Sequence, residues 1–495
     1  MTRWELEVAY GKRGLEIEEL RRQLAEWALE TGDLRQRIED LEAANAAQAA
    51  QIEELKAQIE ELRRAGNRQA GRFRRDPDKL SQDPKRPGRK PGQGKWSRRA
   101  EPTAEQKAKA VVKTSQLAGC PCCGGALADV QQHEHFEWDI PPVEPVLTRF
   151  ESESGYCPHC QRRFRSRHPD QIAEATGAAG VVIGPHAKAL ASDMKHHMGV
   201  SYTKISAFFA VAFGLTFGRS GLFRADMRLA ARASPVYAEL IELVRQLFQV
   251  HVDETGWRIG TLAAWLWVFC GSGVTVYTIN RSRGHQVVLD ILGHAFRGYL
   301  TTDGLLTYNA AALASWLKQK CLAHILRRLK ELSASQQAAH LALATGMTAV
   351  LRDALELARQ RDELDGRTYA EAAAAIEQRM DALIAEHLSD ADDDGARMAR
   401  HLAKHRAHLL PFLYVAGLAA TNNEAERELR PGVITRKVGG CNRTTEGAHA
   451  HAVLGSIGAT CRRRGIPVID FLVQLQRATD DVPSIVAATP VRTER

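Results

Sequence analysis

The stretch Leu-Phe-Gln-Val-His-Val-Asp-Glu-Thr-Gly-Trp, residues 247–257, decides the fold class of this chain. Residues 247–252 are largely apolar and lead into Asp253, a pattern that predicts a buried strand ending at a carboxylate. Working outward, residues 262–269 and 274–279 are rich in β-forming residues and flank the turn Gly271-Ser272-Gly273. These segments predict three successive strands.

A helix and a fourth strand are predicted next. Residues 284–296 have helical character, and residues 298–302 form a strand-like segment that ends at Asp303-Gly304. The order strand-strand-strand-helix-strand is that of a ribonuclease-H-like core, in which the first and fourth strands are neighbours. The two acids would then lie side by side, and carboxylates are the ligands that Mg²⁺ prefers. Two such cations about 4 Å apart are suited to phosphoryl transfer.

A third acid is expected on a later helix, within residues 421–431. The candidates there are Glu424, Glu426 and Glu428. Either Asn422 or Asn423 is predicted to cap this helix, and Pro431 is predicted to end it. Asn422, Glu426 and Arg430 fall on one helical face, where a metal-seeking carboxylate meets a cation suited to phosphate. The residues alone do not choose among the three glutamates.

The long interval between Asp303 and this helix predicts an insertion. Residues 333–410 are rich in Ala, Leu and Arg with helical periodicity, which indicates an all-helical insertion. Its stripe His401, His405 and His408 is interpreted as a basic or solvated face, with a metal site as the alternative.

The N-terminal region predicts a coiled coil. From Ile17 to Leu62 apolar residues alternate at spacings of three and four, with Ile at a positions, Leu at d positions and Asn45 at an a position. This pattern favours a parallel two-stranded coil, and the alternative is a lone amphipathic helix packed on its own core.

The net charge of +8 is concentrated in one segment. Residues 63–100 contain fourteen basic and three acidic residues, so they carry +11 and the rest of the chain carries −3. Pro and Gly are frequent there, which predicts an extended arm. The arm is interpreted as a DNA-binding tether, with a solvated linker as the alternative. The candidate phosphate contacts are Arg86, Arg89, Lys90 and Lys95 in the arm, and Arg430, Arg436 and Lys437 near the core.

Two Cys-x-x-Cys knuckles predict one tetrahedral Zn²⁺ site. The proposed ligands are Cys120, Cys123, Cys157 and Cys160. The interval between the knuckles is long enough for strands at residues 135–139 and 146–151, which would make a zinc ribbon. Buried free cysteines and a redox pair are the alternatives, and Cys122 is a spare thiol.

Composition excludes several classes of protein. Hydrophobic residues are 44% and charged residues 25%, which excludes whole-chain disorder and a fibrous repeat. No signal peptide is recognisable at the charged N-terminus. The uncharged stretch 259–280 is read as two strands and a turn, because Gly271-Ser272-Gly273 interrupts it and its halves favour β structure. The cysteines are interpreted as metal ligands or free thiols.

The order of these motifs resembles the transposases of the insertion sequence 66 family, a group of DDE transposases. The motifs are the coil, Gly-Arg-Lys-Pro-Gly at 88–92, the two knuckles, Ile140-Pro141-Pro142, Asp253-Glu254-Thr255, Asp303-Gly304, Cys321-Leu322-Ala323-His324 with Arg327-Arg328, Asn422-Asn423-Glu424-Ala425-Glu426-Arg427, Arg436-Lys437, and Gly465-Ile466-Pro467 before Phe471-Leu472. Where many members of the family have Arg-Lys-Asn-Trp, this chain has Arg436-Lys437-Val438-Gly439, which puts in doubt any role of the missing aromatic residue.

The resemblance implies a catalytic triad of Asp253, Asp303 and Glu426, all three binding Mg²⁺ or Mn²⁺ with two ions per site. It also marks the Cys321/His324 pair as a signature, to which we assign a structural hydrogen-bonding role together with Asn422 and Asn423. The implied activity is cleavage of transposon ends and strand transfer into target DNA. The alternatives are a non-catalytic DNA-binding regulator and a nuclease that cuts without joining.

The sequence thus predicts a multidomain α/β protein with an N-terminal coiled coil, a zinc ribbon and a ribonuclease-H-like core with an all-helical insertion. The predicted parts are a coil (13–64), a basic arm (65–104), a zinc-ribbon DNA-binding module (105–172), a helical DNA-binding or linking region (173–246), the first part of the core (247–332), the insertion (333–412), the second part of the core with C-terminal helices (413–478) and a flexible tail (479–495). The expected partners are double-stranded DNA (terminal inverted repeats and target), a second copy of the chain through the coil, and small accessory proteins of the same element. No membrane partner is expected, and the expected location is the bacterial cytoplasm at the nucleoid.

Overall fold

The computed structural model describes residues 3–68, 101–172, 182–334, 337–389, 391, 393–478 and 481–488. The chain divides into two units, Met1–Gln93 and Gly94–Arg495, and each is described by itself. Residues 69–100 lie outside the described residues, and with them the predicted phosphate contacts Arg86, Arg89, Lys90 and Lys95.

In the first unit, residues Arg3–Arg68 form the single long helix α1. The helix continues through Gly32 without a break. The heptad residues Ile17, Leu24, Leu34 and Leu41 are between 50% and 70% exposed, so their apolar side chains are uncovered in a single chain. The two-stranded coil stays a prediction.

The second unit begins with a region of little regular structure around the two cysteine knuckles. Helix α2 (Ala104–Ala108) has a capping box, in which Thr103 and Gln106 bond each other's backbone. Strands β1 (Ser154–Cys157) and β2 (Arg162–Arg165) form an antiparallel hairpin around the second knuckle. The predicted strands at 135–139 and 146–151 are wrong, since those residues have no regular structure. The prolines between them lack the N–H that a strand ladder uses.

Three helices precede the main sheet: α3 (Pro185–His196), α4 (Tyr202–Phe213) and α5 (Arg219–Arg245). Ser201 caps α4, and Gly214 ends it in the left-handed conformation at φ +64°. Ile205 and Phe209 of α4 pack with Leu222 of α5 in a small apolar cluster.

The main sheet has five strands in the order β5-β4-β3-β6-β7. Its members are β3 (Gln249–Ile259), β4 (Leu262–Gly271), β5 (Val274–Asn280), β6 (Tyr299–Thr302) and β7 (Lys318–Lys320), with α6 (Gln286–Leu292) between β5 and β6. The first three strands are antiparallel, whereas β6 and β7 are parallel to β3. The predicted neighbourhood of the first and fourth strands is therefore confirmed. No helix among the described residues has both the length and the apolar character needed to cross a membrane.

Two predicted boundaries near the site are wrong. Strand β3 does not end at Asp253 but continues to Ile259, because β4 pairs with it along its whole length. Its other neighbour, β6, ends at Thr302, so among the described residues no strand pairs with this side of β3 from Asp253 to Arg258, and Ile259 then forms a bridge with Asn442. Helix α6 is shorter than predicted and ends at Gly293, whose φ of +74° is suited to glycine.

The two faces of the sheet are covered by different helices because successive side chains of a strand point to opposite faces. Val252 and Trp267 belong to the larger apolar cluster, with residues of α5, α6, α12 (Thr445–Arg464) and α13 (Val468–Arg477). Leu266 and Val268 instead contact α11 (Asn423–Gly439). Asp253 pairs with Val268 across β3 and β4, so its side chain lies on the α11 face.

Helix α12 covers the edge strand β5 with matched hydroxyl groups. Ser456 Oγ accepts a hydrogen bond from Tyr277 N at 2.8 Å, and Thr460 Oγ1 accepts one from Thr275 N at 3.1 Å. Four residues along a helix rise about 6 Å, close to the 6.6 Å of two strand residues, so the spacings match. Two outward-facing N–H groups of the edge strand are thereby satisfied.

Between β7 and α11 the chain is helical: α7 (Leu322–Leu332), α8 (Ala338–Arg359), α9 (Gly366–His387) and α10 (Asp394–His405). These helices have an apolar cluster of their own, with Leu329, Met347, Met380 and Leu402 at or near complete burial.

Two further expectations are wrong. Helix α11 does not end at Pro431 but continues to Gly439, because its second half packs on β4, where Gly432 lies directly against Leu266. The C-terminal segment is not frayed throughout: in residues 481–488, Ile485 is fully buried and Ser484 donates a hydrogen bond to Glu239 of α5.

Candidate active site

Asp253 and Asp303 lie at equivalent heights on neighbouring parallel strands. The pairs of β3 and β6 run from Gln249–Tyr299 to His251–Thr301, and two steps further the same register reaches Asp253 and Asp303. Asp253 Oδ1 accepts a hydrogen bond from Glu254 N at 2.8 Å. Asp303 Oδ1 accepts one from Leu305 N at 2.9 Å, which fixes the carboxylate at the turn after β6. The register therefore places the two acids side by side, next to the carboxyl end of β6.

The pKa of Asp253 shows that it belongs to a group of acids. Burial raises this pKa from 3.8 to about 7, and the charge of Glu254 acts in the same direction, against the hydrogen bond from Glu254 N. The charges of Asp303 and Glu426 contribute to the same rise. Since like charges disfavour ionisation only at short range, the three carboxylates share one electrostatic environment.

Of the three candidate glutamates on α11, Glu426 is the one whose charge is among the main influences that raise the pKa of Asp253. Its Oε1 atom is buried and has no hydrogen-bond partner among the described residues, and His324 Nε2 of α7 lies 3.6 Å away. Glu424 instead forms an ion pair with Arg463 of α12, and Glu428 Oε2 accepts a hydrogen bond from Thr275 Oγ1 at 3.1 Å. The three glutamates of α11 thus differ in the groups that surround their carboxylates.

Cys321 and Asn422 fasten together the segments that carry the three acids. Cys321 N donates to Thr302 O at 2.9 Å, one residue before Asp303. Cys321 Sγ accepts from Asn422 N at 3.1 Å, at the start of α11. Asn422 Nδ2 donates to Val252 O at 2.8 Å, one residue before Asp253. These three contacts fix the backbone beside each acid relative to the others.

The same contacts revise the expected cap of α11. Asn422 occupies the N-cap position, but its side chain makes no capping hydrogen bond because its amide is used on Val252. Asn423 is the first residue of the helix and is exposed.

Glu254 is a buried acid that sequence reasoning did not single out. Its side chain lies on the opposite face of β3 from Asp253, where Arg283 donates two hydrogen bonds to Oε1 at 2.9 and 3.1 Å. Tyr308 OH donates to Oε2 at 2.9 Å. Burial raises the pKa of Glu254, and the hydrogen bonds from Arg283 oppose that shift. The signal available in the sequence was that Glu254 is adjacent to Asp253. Because side chains alternate between the two faces of a strand, Glu254 nevertheless belongs to a separate hydrogen-bond network.

The carboxylates fit a divalent cation by their chemistry. Burial and the neighbouring carboxylates, Asp303 and Glu426 among them, disfavour the charge of Asp253, and Glu426 Oε1 is a buried oxygen without a hydrogen-bond donor among the described residues. Hard cations such as Mg²⁺ are bound by such oxygens. Within the described ranges, however, no three His, Cys, Asp or Glu side chains lie in a group that could hold a metal ion as they stand.

The cysteine knuckles are each formed locally. The pKa of Cys120 is lowered by hydrogen bonds from the backbone N–H groups of Cys122 and Cys123, and that of Cys157 by the N–H of Cys160. This arrangement favours the thiolates that Zn²⁺ requires. All four predicted zinc ligands are free thiols, and no set of three or more is closed around one point in the described residues.

The predicted DNA contacts near the core have different environments. Arg430 and Lys437 are exposed on α11. Arg436 Nη1 instead donates to Thr255 Oγ1 at 2.9 Å and to Gly256 O at 2.6 Å, so it ties α11 to β3. Both bonds use Nη1 only, so the role of Arg436 as a DNA contact stays a prediction.

A buried histidine network links the helices before the sheet to the core. His196 Nδ1 lies 3.0 Å from His451 Nδ1, and its Nε2 lies 3.2 Å from Asp226 Oδ2. Tyr202 OH donates to the same oxygen at 2.7 Å, and Trp257 stacks on His451. The sequence carried no signal of this network, because His451 is 255 residues from His196.

Two family models match this chain. One, described as the transposase of the IS66 family, matches residues 180–450, which include Asp253, Asp303 and Glu426. The other, described as the zinc-finger binding domain of transposase IS66, matches residues 118–161 with all four knuckle cysteines. The chain is also 24% identical over 273 residues to the uncharacterized protein y4qI of Sinorhizobium fredii, with 48% of each chain covered. The chain therefore spans about half the length of this curated relative.

Proposed function

Because the chain belongs to the insertion sequence 66 family of transposases, we propose that it cuts DNA at transposon ends and joins the released ends to target DNA. The grouping of Asp253, Asp303 and Glu426 carries this proposal. Cleavage and joining are both in-line displacements at phosphorus, so one carboxylate site serves both steps.

The proposed catalytic fold is ribonuclease-H-like. Three antiparallel strands followed by two parallel ones, in the order β5-β4-β3-β6-β7, support this assignment. So does α6, which lies in the chain between β5 and β6. In this arrangement the central strand β3 carries the first acid, the second follows directly after its parallel neighbour β6, and α11 carries the third.

The three acids would hold two divalent ions, Mg²⁺ or Mn²⁺. When bound, such ions supply activation of the attacking oxygen and stabilisation of the leaving one. The charges of both other acids raise the pKa of Asp253, so Asp253 would contact both ions. Asp303 and Glu426 would each contact one. His324, 3.6 Å from Glu426, would hold that carboxylate in its orientation. Cys321 and Asn422 would maintain the spacing of the acids through the backbone.

The remaining parts are proposed to recognise and pair the DNA ends. Cys120, Cys123, Cys157 and Cys160 would bind one structural Zn²⁺, and the zinc-finger domain with the basic arm would contact the terminal inverted repeats. Helix α1 would join two copies of the chain so that two ends are held together. Accessory proteins of the same element remain proposed partners, and the cell compartment we propose is the bacterial cytoplasm.

Strand transfer of a precleaved transposon end tests the proposal. Asp253→Asn, Asp303→Asn and Glu426→Gln should each lower the rate at least 100-fold, since each removes a carboxylate from the ion-binding group. Glu428→Gln is the matched control: it lies on the same helix, and its amide oxygen can still accept from Thr275, so its rate should stay within about threefold of the unsubstituted protein. Normal joining by any triad variant would refute the assignment. Cleavage without joining by the unsubstituted protein would identify a nuclease instead.

A further inference from the structure

A group of cations lies beside Asp303, between β7 and α10. Lys318 and Lys320 occupy alternate positions of β7 and are only 5% and 2% exposed. Lys320 Nζ donates a hydrogen bond to the carbonyl oxygen of Asp303 at 3.2 Å. A Cβ atom at Gly304 would lie 3.9 Å from His401 Cε1, so α10 also reaches the turn that carries Asp303. The cations therefore adjoin the acidic site directly.

The histidine stripe His401, His405 and His408 lies beside these cations. The sequence predicted a basic or solvated face here, but His405 is buried and not solvated. His405 is 4% exposed, and its ring centroid lies 4.7 Å from that of His401. Burial lowers the pKa of His401 to about 4, and the charges of Arg328, Lys320 and Lys404 act in the same direction. Burial, with Lys320 foremost among the charges, lowers the pKa of His405 to about 3. The charges that act on both rings are positive.

This excess of cations disfavours a metal ion and favours an anion. Lys318 and Lys320 are almost completely buried, and Lys320 Nζ donates its hydrogen bond to the backbone carbonyl of Asp303. Buried charges are normally paired because removal from water is costly. A metal ion among Lys318, Lys320 and Lys404 would meet repulsion from each of them. A phosphate group would meet attraction from the same groups.

The cations also continue along α7 toward Glu426. His324 and Arg328 are four residues apart and so lie on the same face of this helix. His324 lies 3.6 Å from Glu426, whereas the charge of Arg328 acts on His401. Arg328 and Lys404 are exposed, and Lys318 and Lys320 lie buried behind. The positive charge thus extends from the carboxylates to the surface of the insertion.

We propose that Arg328, His401 and Lys404, with Lys318 and Lys320 behind them, form a phosphate-binding strip for the DNA strand that runs through the acidic site. This inference rests on the proposed function, because it takes the bound strand to be the substrate. Three carboxylates repel the phosphates of an approaching strand, and an adjoining strip of cations offsets that repulsion. The helical insertion thereby acquires a role in holding substrate.

The salt dependence of DNA binding tests the strip independently of catalysis. The full-length protein would be titrated, in EDTA, with a labelled duplex of about 30 base pairs of mixed sequence, over a range of NaCl concentrations. The double variant Arg328→Gln/Lys404→Gln should lower the slope of log K against log salt by about two, since each neutralised phosphate contributes about 0.9. Affinity at 0.1 M salt should fall on the order of 50-fold.

Two control variants separate an effect of the strip from the loss of any two positive charges and from the substitution itself. Arg352→Gln/Arg367→Gln removes two exposed cations from α8 and α9 and should leave the slope unchanged. Arg328→Lys/Lys404→Arg keeps the charge and should also keep the slope. An unchanged slope in the first double variant, or an equal loss in the α8/α9 variant, would overturn the strip. A lowered slope in a protein that never transfers strands would instead retain the strip and reject the proposed function.

Discussion

Asp253 lies in surroundings that favour its neutral form. With its pKa raised from 3.8 to about 7, the folded metal-free protein binds a proton that the unfolded chain has already released between these values. The contribution of this residue to stability is therefore greatest below about pH 4 and is lost as the pH rises toward 7. Bound cations would offset this loss of stability.

The first prediction follows from this loss of stability with rising pH. Asp253→Asn should raise the free energy of unfolding of the metal-free protein by about 2 kcal/mol at pH 8 and by less at pH 5, because the amide carries no charge. Urea unfolding in EDTA at the two pH values measures it. Asp365→Asn is the control: hydrogen bonds with Thr368 lower the pKa of Asp365, so removing its charge should bring no gain at pH 8. A less stable Asp253→Asn protein at pH 8 would contradict the prediction.

At the scale of the element, α11 is fixed at both of its ends. Asn422 bonds Val252 at the start, and Arg436 bonds Thr255 and Gly256 less than one turn before the end. At its last residue, Gly439 packs so closely on the carbonyl of Gly199 that a Cβ atom would overlap it. The orientation of Glu426 depends on all of these contacts, and a tryptophan at position 439, as in many family members, would not fit this packing.

The second prediction concerns that close approach. Gly439→Ala should lower the free energy of unfolding by about 1–3 kcal/mol, because the opposing atoms are backbone and cannot move aside cheaply. Urea unfolding measures the change, and strand transfer reports whether Glu426 is displaced with the helix. Gly366→Ala at the start of α9 is the matched control: nothing lies within 4 Å of the new methyl group, and stability should stay level or rise. Equal losses for the two variants would rule out the packing argument.

At the scale of the whole molecule, local patterns predicted the elements and long-range contacts decided the details. Strand-like segments and turn residues predicted four of the five strands of the sheet, and the order of the elements predicted the pairing of β3 with β6. The short strand β7 was not predicted. Local patterns did not locate the end of β3, because β4 extends the strand beyond Asp253. Nor did they extend α11 beyond Pro431, where packing on Leu266 outweighs the local preference of proline.

In the candidate site, too, some features could be predicted from the sequence and others depend on long-range contacts. Asp253 and Asp303 could be predicted as neighbours because strand order fixes their positions. Glu426 could not be separated from Glu424 and Glu428 by residue type, since the difference arises from Arg463 and Thr275, which lie in distant parts of the chain. The cation group around Lys320 was equally invisible, because β7 and α10 are brought together only by the fold.

The last prediction concerns the assembly of two chains through α1. Leu34 and Leu41 occupy d positions and are 57% and 61% exposed in one chain. Leu34→Lys/Leu41→Lys should convert a dimer at micromolar concentration into a monomer, because each leucine that is no longer buried costs about 1.5–3 kcal/mol. Light scattering measures the mass. Gln36→Lys/Ala43→Lys places the same two lysines at f positions, away from the seam, and should remain dimeric. A protein that is monomeric without substitution would refute the coil, whereas a dimer that survives the leucine changes would mean that other surfaces join the chains.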